Sequence, residues 1–512
     1  MGSRSPRIIP AAREISAYRG DSLILPVAEG SRPLRGIARI LDAALRGAIT
    51  RATQQAAFRG KLSERYLLHP SGRLGVEHLL LIGLGKRSEL TLDRARNVTA
   101  EALRHLRALK AKQIAIACHE TSWPGLGTEP LAQAITEGAL LGLYRFDPYK
   151  GRGSRPNENE IESLTLLCSN RDAIGALRAG IGRGEVLARA TNLARDLVNE
   201  PANVLTPTAL ANRARAAARQ HGLSVEVLDR RAMQRLGMGA LLGVAQGSAN
   251  PPRLIILRHR RRGGRASPAL GLVGKGVTFD AGGISIKQAE GMETMKGDMA
   301  GAAAVIAAMT AIAALRVPLD VVAVIPAVEN LPGATAQRPG DIVRAMDGTT
   351  IEVVNTDAEG RLILADALCY TRRLGATRLV DVATLTGGVV VALGSVRTGL
   401  FANDPTLARK VEAAGEAAGE KLWQLPLDDE YEELIKSDYA DLKNTGGGKK
   451  APAIGASRFL KHFVGETPWV HLDINGTSLQ EGESGYRPKG ATGVMTRTLI
   501  DLVLSLAPEP HR

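Results

Sequence analysis

Short apolar runs and amphipathic stretches alternate along most of this chain. In the first third, "DSLILPVA", "HLLLIGLG" at 78–85 and "KQIAIAC" at 112–118 are almost continuously apolar, the pattern of strands covered on both faces. Between the last two, residues 92–109 carry apolar positions at helical spacing. A polar Gly/Pro-containing stretch at 150–160 precedes another strand, "SLTLLC", and residues 171–198 read as a long helix. The alternation then returns more strongly: "RLIIL", "ALGLVGKG", an Ala-rich helix at 300–315, "LDVVAVIPAV", "IEVVNT", a helix at 358–374 and "RLVDVATLTG". Strands separated by helices predict an α/β protein with a mostly parallel central sheet. Two domains are predicted: a smaller N-terminal α/β domain over 1–170, a connecting helix over 171–198, and a larger C-terminal α/β domain over 199–512. In such sheets ligands bind beyond the carboxyl ends of the strands.

One such strand end is chemically crowded. In "VVNTDAEGRLILADAL" (353–368), Asp357, Glu359 and Arg361 stand between a β-branched run and an apolar-periodic helix. Thr356 and Glu359 fit a capping box, and carboxylates suit the positive end of a helix. Arg361 has the wrong sign for a first turn, so capping leaves it unexplained. A second polar concentration, "GLVGKGVTFDAGGISIKQAEGMETMKGDMAG" (271–301), brings Lys275, Asp280, Lys287 and Asp298 among glycines. "GLVGKG" lacks the Walker spacing and the following Ser or Thr, which argues against nucleotide binding. Four acids converging at strand ends would repel one another unless cations neutralised them. One or two divalent metals answer that need, an all-oxygen shell suiting Mg²⁺ or Mn²⁺, with Zn²⁺ also open. No histidine lies between His259 and His462, so neither HExxH chemistry nor a Ser-His-Asp triad can come from this region. The residues alone therefore reach a two-metal hydrolase or a phosphoryl-transfer enzyme.

Composition adds bounds. Over 512 residues, 44 % hydrophobic and 23 % charged positions are ordinary for a globular protein, while aromatics at 3 % leave few platforms for stacking bases. The formal charge of +14 favours polyanionic partners, although diffuse surface arginine is the simpler reading. The densest basic run, "RHRRRGGR" at 258–265, reads as a hairpin or loop tip. Three cysteines, Cys118, Cys168 and Cys369, sit in apolar surroundings and are expected to be buried thiols. The N-terminus has no signal-like apolar core and Pro6 breaks the myristoylation pattern. The apolar run at 300–315 is short for a bilayer, so a cytoplasmic protein without a membrane partner is expected.

"NTDAEGRL" at 355–362 matches the signature of the cytosol (leucyl) aminopeptidase family, and "VGKGVTFDAGGISIK" and "MKGDMAGAAAV" resemble its other metal-site segments. The resemblance continues through "ARDLVNEPANVLTP", "ENLPGATAQRPGDIV", "VATLTGG", "LGSVRTGLFAND" and "VHLDINGT…YRPKGATG", covering the chain from about 190 onward and more weakly before it. It implies two metals, Mn²⁺ or Zn²⁺, held by Lys275, Asp280, Asp298, Asp357 and Glu359, with Asp280 and Glu359 bridging. It implies that Lys287 polarises the scissile carbonyl and that Arg361 holds a bicarbonate acting as general base. Met295, Thr384, Leu385 and Gly387 would fall near a pocket favouring Leu-like N-terminal residues. The implied protein is a leucyl aminopeptidase acting on peptides as a homohexamer. Some members of the family bind DNA, which makes a DNA-binding accessory role the second reading of the basic charge. The segment 444–460 departs from the family in carrying two extra lysines.

Overall fold

A computed structural model describes residues 5–55, 57–151, 160–261, 269–446 and 450–508. The chain divides into two compact units, residues 1–189 with 482–488 and residues 190–481 with 489–512. The helix Ile174–Asn199 runs across that division. Most of the polar stretch at 150–160, and the 262–265 end of the basic run, lie outside the described residues.

The first unit holds a six-stranded sheet of β1 (Arg7–Ala12), β2 (Ser22–Val27), β3 (Arg65–Leu68), β4 (His78–Gly83), β5 (Gln113–Ala117) and β6 (Ser163–Cys168), in the order β1-β6-β5-β2-β4-β3. All neighbours are parallel except β3, which runs antiparallel to β4 at one edge. Strand β1 escapes the sequence reading because Pro10 interrupts it; it is tolerated because β1 is the other edge. The amphipathic stretch forms the helix Leu92–Ala108, started by the Thr91 hydroxyl accepting from the Arg94 N–H at 3.2 Å. Cys118, just after β5, and Cys168, the last residue of β6, lie at the same end of two neighbouring strands, and they and Cys369 are buried free thiols.

The second unit contains β7 (Ser224–Leu228), β8 (Arg253–His259), β9 (Leu270–Gly274), β10 (Gly276–Asp280), β11 (Val321–Asn330), β12 (Ile342–Arg344), β13 (Thr350–Glu352), β14 (Leu379–Ala383), β15 (Thr398–Ala402), β16 (Leu422–Gln424), β17 (Leu442–Lys443) and β18 (Trp469–Asp473). Its main sheet runs β16-β15-β18-β14-β9-β11-β8-β7, with β10 paired to the far half of β11. From β18 through β14 and β9 to β11 every pairing is parallel, so the carboxyl ends of these strands share one edge. The helix Ala300–Ala314 is buried through residue 312. The stretch Met292–Ala314 is long and apolar enough to cross a membrane, but 89 % of its most apolar window is buried, as in a core helix. Gly301 lets this helix begin directly against β14, since a Cβ there would lie 2.0 Å from the Val382 carbonyl oxygen.

Two local expectations are corrected. "IEVVNT" is not a strand of the main sheet: only Thr350–Glu352 is extended, within a small sheet with β12 and β17, and the next helix begins at Gly360. Residues 353–359 are instead held by side chains from elsewhere, as described below. The capping box does not form either. The Thr356 hydroxyl accepts from the Ser285 N–H at 2.8 Å and donates to the Gly282 carbonyl at 2.6 Å, and Glu359 makes no cap bond. Tertiary partners outcompete the local pairing that the spacing offers.

The Gly360–Arg373 helix is also anchored from behind. Asp366, fully buried, accepts from the Leu241 N–H at 2.8 Å and the Met346 N–H at 2.7 Å. Burial, opposed by these N–H groups, pushes its pKa up to about 7. A carboxyl raised in the folded state penalises folding once the unfolded form ionises. Its contribution is therefore neutral below about pH 4 and becomes unfavourable as pH climbs towards 7. Urea unfolding at pH 5 and pH 7 should show the native protein losing about 2 kcal/mol more over that interval than Asp366→Asn does. Parallel pH dependences of the two proteins would refute the assignment.

Candidate metal centre

Every predicted acid lies at or beside the shared carboxyl edge of the main sheet. Lys275 follows β9, Asp280 ends β10, and Thr384 follows β14; the loop 355–359 faces them from the start of the Gly360–Arg373 helix. Lys275, Asp280, Asp298 and Glu359 are nearly inaccessible, and Asp357 and Lys287 are partly exposed. One ligand oxygen from each of Asp280, Asp357 and Glu359 falls within a mutual 4.8 Å.

The lysines interleave with these acids. Lys275 Nζ lies 2.8 Å from Asp298 Oδ1, 2.8 Å from Glu359 Oε1, and donates to the Thr384 carbonyl at 2.8 Å. Lys287 Nζ lies 2.9 Å from Asp280 Oδ2 and 2.5 Å from Asp357 Oδ1. The Thr384 hydroxyl donates to Asp298 Oδ1 at 2.6 Å. Four carboxylates against two ammonium groups leave an excess of negative charge in a largely buried site. The acids respond accordingly. Burial raises the pKa of Asp280, Asp298 and Asp357, and neighbouring carboxylates add to it. Burial alone would lower Lys275, but Asp298 and Glu359 outweigh it and hold the ammonium charged.

The donor set fits divalent cations. The excess of negative charge has the right sign, the oxygens converge, and Asp298 Oδ2 is buried without a hydrogen-bond partner. Gly360 keeps the floor of the site open: a Cβ there would lie 2.8 Å from Lys275 Cε and 2.9 Å from its Nζ. Gly282 turns the chain after Asp280 at φ +89°, a conformation that L side chains rarely adopt, and its N–H donates to Asp280 Oδ1 at 2.9 Å.

Arg361, on the first turn of its helix, is buried and donates from Nη1 to the Asn444 carbonyl at 2.8 Å, while its Nε has no hydrogen-bond partner. Burial brings its pKa down to about 10, against the pull of Glu359 and Asp473. A cation at this end of a helix opposes the helix dipole. Met295 is half-buried and its carbonyl accepts from the Asp298 N–H at 3.2 Å. Leu385 packs near Gly360, and Gly387 begins the helix Gly387–Leu393 and is exposed.

Three residues that the sequence did not single out hold these loops. Asn330 donates to Asp280 Oδ1 at 2.8 Å and to the Thr356 carbonyl at 3.0 Å, tying the two acid-bearing segments together. Asn444 accepts from the Val354 N–H at 2.8 Å and donates to the Asn355 carbonyl at 2.7 Å. Asp473, at the end of β18, accepts from the Leu385 N–H at 3.1 Å, the Thr386 hydroxyl at 2.7 Å and the Asn475 N–H at 3.2 Å, fixing the loop that carries Thr384. For Asn330 and Asp473 the only sequence signal is a polar residue closing an apolar run, and Asn444 carries none. Asp473→Ala should lower stability by about 3 kcal/mol in urea unfolding, because it orphans several buried donors at once. Unchanged stability would mean that the loop is held otherwise.

Comparison with known proteins places these segments in context. Residues 192–500 match the model of the cytosol aminopeptidase family catalytic domain, and residues 24–152 match that of its N-terminal domain. The probable cytosol aminopeptidase of Solibacter usitatus is 50% identical over 492 residues, spanning 96% of this chain and 98% of that protein. Its counterpart from Alkaliphilus metalliredigens is 46% identical over 497 residues, with 96% and 98% covered. Among solved structures, a mutant of tomato leucine aminopeptidase superposes with a TM-score of 0.88 at 35% identity, covering 98% of this chain and 97% of that one. The bottromycin maturation enzyme BotP in complex with Mn gives a TM-score of 0.84 at 35% identity, covering 96% and 100%.

Proposed function

Since the chain belongs to the cytosol aminopeptidase family, we propose that it is a metal-dependent aminopeptidase that removes Leu-like residues from the N-terminus of peptides. The observation that carries this reading is the convergence of Asp280, Asp357 and Glu359 with Asp298 and Lys275 at one sheet edge. These five residues would hold two divalent ions, Mn²⁺ or Zn²⁺; when bound, the ions supply a water acidic enough to attack near neutral pH and a seat for the free α-amine.

The protein's own groups do the rest. Lys287, partly exposed and held charged by Asp280 and Asp357, donates to the scissile carbonyl oxygen and stabilises the charge that develops there. Lys275 would have to give up its proton to become a ligand, and the carboxylates that hold it charged, Asp298 and Glu359, would then hold the ions. Arg361, with its unpartnered Nε, would hold a bicarbonate, whose chemistry is that of a general base. The loop Thr384–Gly387, fixed by Asp473, would line the seat of the N-terminal side chain together with Met295. Cytoplasmic location and assembly as a homohexamer accompany this reading; sedimentation velocity of a single six-chain species tests the latter.

Specificity is tested with p-nitroanilides of Leu, Phe, Ala and Asp. The expected order puts Leu first and Asp last, by about two orders of magnitude in kcat/KM. Equal rates for Leu and Asp would remove the Leu-like pocket while leaving the peptidase. The DNA reading rests on the net charge of +14 and on the resemblance to the family, and would fail if affinity for a duplex did not fall with rising salt.

A further inference from the structure

The peptidase reading leaves the basic run at 258–261 unused. These residues line a cavity of about 770 Å³ in the second unit, together with His221, Arg316 and the turn Val317–Pro318. Four arginines face it: Arg258, Arg260, Arg261 and Arg316. Arg258 is paired with Glu226 at 3.1 Å. Among the described residues, no ion pair engages Arg260, Arg261 or Arg316.

The cavity is built on fixed backbone. His259 Nε2 bonds the Val317 carbonyl at 2.8 Å, and the Arg261 N–H donates to Asp320 Oδ1 at 2.6 Å, which pins the end of β8 to the turn before β11. It also lies far from the metal centre. Val321 pairs with His259 at the start of β11, whereas Asn330 pairs with Asp280 at its end, so the two sites are separated by the strand's length, about 30 Å. Basic residues after helices commonly offset the negative helix end, and His221 and Arg316 each follow or close one. That accounts for one cation per helix and leaves Arg260 and Arg261 over.

The geometry points to a second ligand site here, taking a small polyanion that carries two or more phosphate groups. Guanidinium groups match phosphate oxygens in pairs, and several unpaired ones around one cavity suit several phosphates better than one carboxylate. The volume falls in the range of small-molecule sites and exceeds what a single phosphate fills. Apart from its two histidines, no aromatic ring lines it among the described residues, so the phosphates rather than a stacked base would carry recognition.

The test is calorimetric titration of the full-length protein with sodium tripolyphosphate at low salt, beside the triple variant Arg260→Ser, Arg261→Ser, Arg316→Gly. Arg316 sits at φ +52°, so glycine suits its backbone, and the other two are exposed; the variant should fold and keep its peptidase activity. The expected result is one site per chain, weakened by salt and at least about tenfold weaker in the variant. Arg316→Gly alone should weaken it by a smaller factor. Equal binding by wild type and variant, or none by either, would overturn the proposal. So would loss of duplex DNA binding in the variant when tripolyphosphate binds neither protein, since the arginines would then serve a nucleic acid.

Discussion

Replacing Glu359 by Gln is expected to reduce hydrolysis of Leu-p-nitroanilide by about a thousandfold or more while leaving the fold intact. The substitution preserves volume at the start of the Gly360–Arg373 helix, where Glu359 makes no capping bond that could be lost. It removes one of four carboxylates from a site whose excess charge is what attracts cations, so bound metal should fall with activity. Lys275 keeps Asp298 as a partner at 2.8 Å, which protects the variant from an isolated buried ammonium. Metal content by atomic absorption and the thermal midpoint, read beside the rate, separate this outcome from unfolding. Full activity with full metal content would remove Glu359 from the centre.

Lys287→Gln is expected to behave differently. Its ammonium sits between Asp280 and Asp357 but remains partly exposed, as a group aimed at substrate must be. Losing it should lower kcat by about 10²–10³ with little change in KM, the signature of an interaction made mainly in the transition state. Metal content should stay at the wild-type level or rise, because a cation competing for Asp280 and Asp357 has gone. A fall in metal content matching the fall in rate would recast Lys287 as part of the binding set. A rise in KM alone would make it a ground-state contact.

Much of this architecture was legible in the pattern of apolar runs. Strands such as β4, β5 and β11 are buried on both faces and therefore appear as unbroken hydrophobic segments. The edge strand β1, interrupted by Pro10, and the extent of "IEVVNT" were not legible, because edge pairing and loop anchoring are decided by distant residues. The site divides along the same line. Asp280, Asp298, Asp357 and Glu359 stand out because acids in apolar company need a reason. Arg361 stands out because its sign is wrong for a helix start. Asn330, Asn444 and Asp473 do not stand out, although they position the loops, since each is one ordinary polar residue whose partners lie far along the chain. Thr356 shows the opposite error: its spacing from Glu359 advertises a local cap, and the fold uses it to join two acid-bearing loops.

The most direct measurement is hydrolysis by protein stripped of metal and resupplied with Mn²⁺, Zn²⁺ or Mg²⁺, using Leu-p-nitroanilide and its N-acetylated form. Cleavage that returns with metal, and only for the substrate with a free amine, is the predicted result. Cleavage of both substrates, or full activity in the folded, metal-stripped protein, would contradict a metal-dependent aminopeptidase.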